Sequence, residues 1–254
     1  MFFNFAIIYK ISKEKKMNTL FTLSLKSASR EPFLLFWSIF MPIAGTLILG
    51  YLIHDPHYSL RITTGMMAMG ILFYAFTTTV FTLFSQRRRG VYQLLKVTPL
   101  PLARYIISVS GAGTIISLSC GLAVLIIGSI AFQISLPWPS LIMIMIVCLL
   151  GAMGYLFLSF FISSLCKTEA QASIITNLIS MPLLLSSDAF YSLDGAPAIV
   201  FAIRSLNPFQ WFLNGLRSSL MVNPLTWGYS LLALTLFFAI TLTLAIWSFT
   251  FTDR

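Results

Sequence analysis

The sequence predicts an all-α polytopic membrane protein with six spanning helices, and three observations predict it. Hydrophobic residues make up 58% of the chain and charged residues only 9%. A soluble domain carries about 25% charged residues, so this chain could not clothe a water-facing surface. Six apolar runs reach the roughly 20 residues that a helix needs to cross a hydrocarbon core. The runs are continuous rather than alternating, which excludes barrel strands and leaves helices as the spanning element.

The spans are expected at residues 33–53, 62–84, 105–132, 140–165, 170–190 and 227–249, with Asp188 the one charged residue inside them. Lys10, Lys13, Lys15, Lys16, Lys26, Arg30, Arg87, Arg88, Arg89, Lys96, Arg104, Lys167 and Arg254 fall on one side of such a topology, and only Arg61, Arg204 and Arg217 on the other. This bias puts both termini in the cytoplasm, in keeping with an even number of spans. The net charge of +9 then reads as anchoring against anionic headgroups. It does not point to nucleic acid, because the basic residues sit in short blocks between apolar runs.

Between the spans, other segments carry structure of their own. Residues 1–16 have their apolar part before their charges and no small-residue cleavage site, so they are expected to be an extension and not a signal peptide; Met17 offers a second start. Residues 17–254 form the single transmembrane domain. Met17 to Arg30, with Leu20, Phe21, Leu23 and Leu25 among polar residues, is expected to be an amphipathic interface helix turned into span one by Glu31-Pro32. Tyr191 to Thr226 is too apolar for an ordinary loop yet is interrupted by Asp194, Arg204, Asn207 and Arg217. It is expected to hold short interfacial or re-entrant helices. Gly113, Ser117 and Gly121, at four-residue spacing in span three, suit close helix approach.

Candidate chemistry is sparse. His54, Asp55 and His57 lie in one short loop, but a closed metal site needs more ligands and Pro56 breaks a zinc-protease helix, so a polar turn is expected. Cys120, Cys148 and Cys166 show no pairing framework and read as small packing residues. Asp188 has two readings: a carboxylate meeting interfacial water or an arginine, or a residue of a substrate path. No phosphate-binding loop is present, so the chain cannot hydrolyse ATP itself. No Ser-His-Asp or paired-carboxylate set sits at one depth, and the chain is expected to be no enzyme.

The most informative polar segment is Ser85 to Arg104. Anchoring requires only charge. Here Arg87-Arg88-Arg89 is followed by Gly90, then Val91, Leu94 and Leu95 at near-helical spacing, then Thr98-Pro99-Leu100-Pro101 as a stop. A short helix ended by prolines presents a defined shape to a partner.

In this segment the chain resembles the permease subunits of type-2 ATP-binding-cassette (ABC) exporters, in which an Arg-Gly turn after span two leads to a short helix ending in a Thr-Pro motif. Arg30-Glu31-Pro32 with Met41-Pro42, Phe190-Tyr191-Ser192-Leu193-Asp194 with Pro197, and Leu206-Asn207-Pro208-Phe209 with Gly215-Leu216-Arg217 extend the likeness from Met17 to Phe249. The resemblance implies a dimer of permeases, identical or paralogous, each docked on a cytoplasmic ABC ATPase. ATP and Mg would be held by that partner, and no cofactor by this chain. It assigns coupling to Arg87, Arg88, Arg89, Gly90, Leu94, Leu95, Thr98 and Pro99, and outer re-entrant helices to the segment with Asn207, Pro208 and Arg217. Asp188, where the family often has a small residue, bears on substrate. The implied setting is a bacterial cell membrane, and the cargo a drug, antimicrobial peptide or lipid-like amphiphile. Two other classes remain: a secondary transporter or channel, which needs ion-coupling residues at mid-depth, and a membrane-embedded enzyme or assembly factor.

Overall fold

A computed structural model describes residues 21, 22, 25, 32–91, 102–193, 195 and 197–252. Every regular element among them is helical. In chain order they are α1 (Pro32–Leu52), α2 (Pro56–Leu72), a π-helical stretch (Phe73–Thr78), α3 (Thr79–Arg88), α4 (Leu102–Phe132), α5 (Trp138–Leu165), α6 (Glu169–Leu185), α7 (Ala198–Leu206), α8 (Pro208–Leu220) and α9 (Pro224–Thr252). Four helices are long and apolar enough to cross a membrane: His57–Arg88, Tyr105–Phe132, Trp138–Leu165 and Pro224–Ser248. Phe36–Leu52 is a shorter apolar helix.

The starts of these helices follow from capping chemistry. The Asp55 carboxylate accepts the His57 backbone N–H at 2.9 Å and Pro56 opens α2. This begins the helix six residues before the expected Ile62, on a Pro that gives up an amide hydrogen the first turn could not use. The Thr168 hydroxyl accepts the Gln171 N–H at 3.2 Å and starts α6. Asn207 caps α8 through the Phe209 N–H at 2.8 Å, with Pro208 next.

Two departures from expectation concern helix ends and period. The fifth run was expected to stay helical to Phe190, but α6 stops at Leu185. The Ser187 hydroxyl donates to the Leu184 carbonyl at 2.7 Å, an acceptor that a continuing helix would have filled with the Asp188 N–H, while the Ser186 hydroxyl shares the Pro182 carbonyl with the helical Ser186 N–H. The second run widens to i→i+5 geometry at Phe73–Thr78. There the Thr79 hydroxyl donates to the Tyr74 carbonyl five residues back at 3.0 Å, and Ser38 of α1 lies 3.4 Å from the Thr78 hydroxyl.

Helix α5 is the central post, packed against α9, α8, α3 and the π segment. Helix α2 packs chiefly on α4, and α1 lies against both. The fully buried Tyr155, Phe76, Phe160, Phe209 and Phe212 fill the space between them. The small residues of α4 divide between two partners: a Cβ on Gly113 would sit 2.9 Å from Leu156 of α5, and one on Gly121 2.6 Å from Ile71 of α2. Helix α4 is therefore wedged between α5 and α2. Helix α6 exposes Ile174, Leu178, Met181 and Leu185, as α1 exposes Phe36, Phe40 and Ile48.

Candidate functional site

Two polar assemblies lie at opposite ends of this bundle. The first is the corner where α3 and α5 end and α6 begins. Arg87 donates Nη1 to the Ser164 carbonyl at 2.9 Å and reaches that of Ser163 at 3.4 Å. These belong to the last turn of α5, whose carbonyls lack helical partners. Arg88 meets Glu169 of α6 at 3.2 Å, both side chains about two-thirds exposed, and its guanidinium lies 5.9 Å over the Phe84 ring. So exposed a pair contributes little to stability.

Gly90 then turns the chain with φ of 74°, a conformation that costs a residue with a Cβ. Arg89 is exposed beside it. Leu94, Leu95, Thr98 and Pro99 lie outside the described residues. Next to Arg87, burial pushes the Cys166 thiol pKa up while the Arg87 charge opposes it, and Cys166 Sγ donates to the Ile162 carbonyl at 3.2 Å.

The second assembly is built around Asp188. Because α6 has ended, Asp188 sits in the turn after the helix and not within a span, as had been expected. It is 6% exposed. Its carboxylate pairs with Arg204 of α7 and accepts the Leu193 N–H at 3.3 Å. Its N–H donates to Gln210 Oε1 of α8 at 2.8 Å, and its carbonyl accepts Arg217 Nη2 at 2.7 Å. Arg217 Nε also reaches the Thr64 hydroxyl of α2 at 3.4 Å. Asn207, besides capping α8, donates Nδ2 to the Leu183 carbonyl at 2.8 Å and to Ser186 Oγ at 3.0 Å, tying the α7–α8 corner to the end of α6.

This cluster is recessed. Thr64 stands eight residues into α2, so the Asp188 turn meets α2 about 12 Å along its axis from Pro56. Gly65 makes that approach possible, since a Cβ there would lie 2.3 Å from the Ala189 carbonyl oxygen. Asp188, Asn207 and Arg217, singled out separately in the sequence, are thus brought together. Gln210, Thr64 and the role of Arg204 as ion-pair partner were not singled out; the one available hint was Arg61 and Thr64 at i, i+3 in α2. His54 and His57 are exposed, and among the described residues no group of His, Cys, Asp and Glu could hold a metal.

Long apolar helices closed on a buried aromatic core define a multi-pass integral membrane protein. The family model for the ABC-2 type transporter matches residues 16–221, and the chain belongs to that family. It is the permease subunit of an ABC transporter, a membrane domain of a kind that is typically non-catalytic and works with a separate ABC ATPase. No curated protein matches the chain.

Proposed function

We propose that the chain is the permease of an ATP-driven exporter that moves an amphipathic or lipophilic substrate out of the cytoplasm or its inner leaflet. In this reading six helices span the membrane: α1, the continuous α2–π–α3 rod, α4, α5, α6 and α9. The Arg87–Arg89 end faces the cytoplasm, as the distribution of Lys and Arg favours. Helices α7 and α8 form a re-entrant pair at the opposite end. Residues 17–254 form the single permease domain, and residues 1–16 an extension. ATP and Mg belong to the partner subunit.

The observation that carries the proposal is the Arg87 corner. Arg87 ties the end of α3 to the end of α5, and Arg88 lies against the start of α6, immediately before the Gly90 turn. A push on the segment from Gly90 to Pro99 is therefore delivered to α3 and α5 together, beside α6. That is what a docking element must do if an ATPase is to move helices. The exposed apolar faces of α1 and α6 suit a second permease copy or paralogue.

The substrate reading rests on the apolar buried spans, which include Met66, Met67, Phe76, Tyr155, Phe160 and Phe212, and on the recessed Asp188 cluster as the polar element of the path. An ion-coupled transporter would use carboxylates at mid-depth. Among the described residues the buried carboxylate is Asp188, and it is held by Arg204.

The test is co-purification in mild detergent with an ATPase encoded beside this chain. A complex is expected whose ATPase activity falls when Arg87, Arg88 and Gly90 are replaced together. A folded permease that recruits no ATPase, or transport by the purified chain alone on an ion gradient, would overturn the proposal.

A further inference from the structure

The Asp188 cluster does not balance its charges. Among the described residues that meet there, Arg61, Arg204 and Arg217 bring three positive charges to one carboxylate. Arg204 and Arg217 both bond to Asp188, and Arg61 stands at i−3 to Thr64, whose hydroxyl Arg217 reaches. Arg204 is committed to Asp188. Arg217 uses Nε on Thr64 and Nη2 on the Asp188 carbonyl, leaving its remaining N–H groups unused. Among the described residues the Arg61 guanidinium has no hydrogen-bond or ion-pair partner, and Arg61 is half-buried. It stands one turn before Thr64 on α2, toward the helix end. A partly buried guanidinium without a partner is unfavourable unless an anion shares its charge.

The neighbourhood also specifies what kind of anion. Helix α7, which carries Arg204, is strongly amphipathic and buries none of its residues. Ile199, Phe201, Ile203 and Leu206 are exposed, and the Arg204 guanidinium lies 5.8 Å over the Phe201 ring. A small water-soluble ion would leave this apolar face bare. A molecule with an anionic head and hydrocarbon tails would satisfy both surfaces. Guanidinium forks match phosphate oxygens in geometry as well as charge.

We propose that Arg61, Arg204 and Arg217 form a binding site for the phosphate headgroup of an anionic phospholipid, its acyl chains lying along α7. The site is in the outer leaflet, which rests on the orientation given under the proposed function. Binding itself requires neither ATP nor cargo. The site supplies the missing negative charge and holds the α7–α8 pair in the bilayer.

The full chain is reconstituted in nanodiscs of phosphatidylcholine containing phosphatidylglycerol, and the lipids retained after mild extraction are weighed by native mass spectrometry. Wild type is expected to retain phosphatidylglycerol in preference to phosphatidylcholine. Arg61→Gln is expected to lower that retention about fivefold, the effect of one interfacial cation, and Arg61→Lys to preserve most of it. Lys167→Gln, which removes a cation from the other end, is expected to change nothing. Equal retention of the two lipids, unchanged retention in Arg61→Gln, or an equal loss in Lys167→Gln would overturn the site. Displacement of the lipid by millimolar inorganic phosphate would overturn the lipid assignment.

A photoactivatable phosphatidylglycerol on wild type keeps the test decisive even if Arg61→Gln fails to fold. Its cross-links are expected on peptides from 56–66 and 198–217, and cross-links confined elsewhere refute the site. No ATPase enters either measurement, so failure here leaves the exporter reading standing, and failure of that reading does not alter the retention result.

Discussion

Asp188→Asn removes the carboxylate charge from the recessed cluster while keeping the size and one acceptor of the side chain. At about 4 Å between charge centres and an effective dielectric of about 20, the attraction to Arg204 amounts to about 4 kcal/mol. The Arg204 side chain is 20% exposed and that of Asp188 9%, so solvent screens only part of this. Asparagine can still accept the Leu193 N–H, and Gln210 still holds the backbone. The expected loss is about 3 kcal/mol, at the low end for breaking a buried pair. For a chain of this size that lowers Tm by roughly 6–12 °C. Thermal unfolding followed by tryptophan fluorescence in one detergent measures it. The double variant Asp188→Asn with Arg204→Gln should recover about 2 kcal/mol relative to additivity, because the stranded cation is gone. A Tm for Asp188→Asn within about 1 °C of wild type, or strict additivity in the double variant, would refute the view that this ion pair supports the turn.

Other outcomes follow from the packing. Gly65→Ala forces a Cβ to within 2.3 Å of the Ala189 carbonyl oxygen and should cost about 1–3 kcal/mol, whereas Gly228→Ala, with nothing within 4 Å, should be neutral or stabilising; the two melting temperatures check this. Tyr155→Phe removes a buried hydroxyl that has no partner while keeping the ring contacts with Phe212 and Phe237. It should raise stability by about 1 kcal/mol, and a loss of transport in that stable variant would give the hydroxyl a role with substrate. Arg87→Ala should slow maleimide labelling of Cys166 at fixed pH. Arg87 favours the thiolate, so its removal raises an already elevated thiol pKa and shrinks the reactive fraction; faster labelling would mean that the corner had opened.

Four of the six runs were legible as membrane-length helices because an apolar run of that length has few alternatives to a membrane helix. Their ends were less so. The start of α2 was placed too late because His57, Ser59 and Arg61 lower its hydropathy, although Asp55-Pro56 is a strong start signal. The end of α6 was placed too far along because Ser186 to Phe190 reads as apolar enough to continue, and the hydroxyl that stops it acts through a carbonyl that the sequence does not display. The π segment has no Gly or Pro to announce it, only the threonines from Thr77 to Thr79.

The site divided in the same way. The Arg87 corner is local in sequence apart from its carbonyl and Glu169 partners, so its composition could be read directly. The Asp188 cluster joins residues 22 and 29 positions apart, and links Thr64 to Arg217 across 153. Each looked like an isolated polar residue in an apolar stretch. Only the fold shows that they are one network.

The widened turn at Phe73–Thr78 also bears on how the chain compares with other sequences. Such a turn holds one residue more than an α-helix would, and one residue advances an α-helix by about 100°. Everything from Thr79 to Arg88 is therefore rotated by about that angle relative to a helix extrapolated from Pro56. A relative lacking a single residue between Leu72 and Thr79 would have an unbroken α-helix of nearly the same length. Its arginines would still face Ser164 and Glu169, because the wide turn absorbs the step of the extra residue. A relative of equal length with an unbroken α-helix would instead turn the whole corner by about 100°.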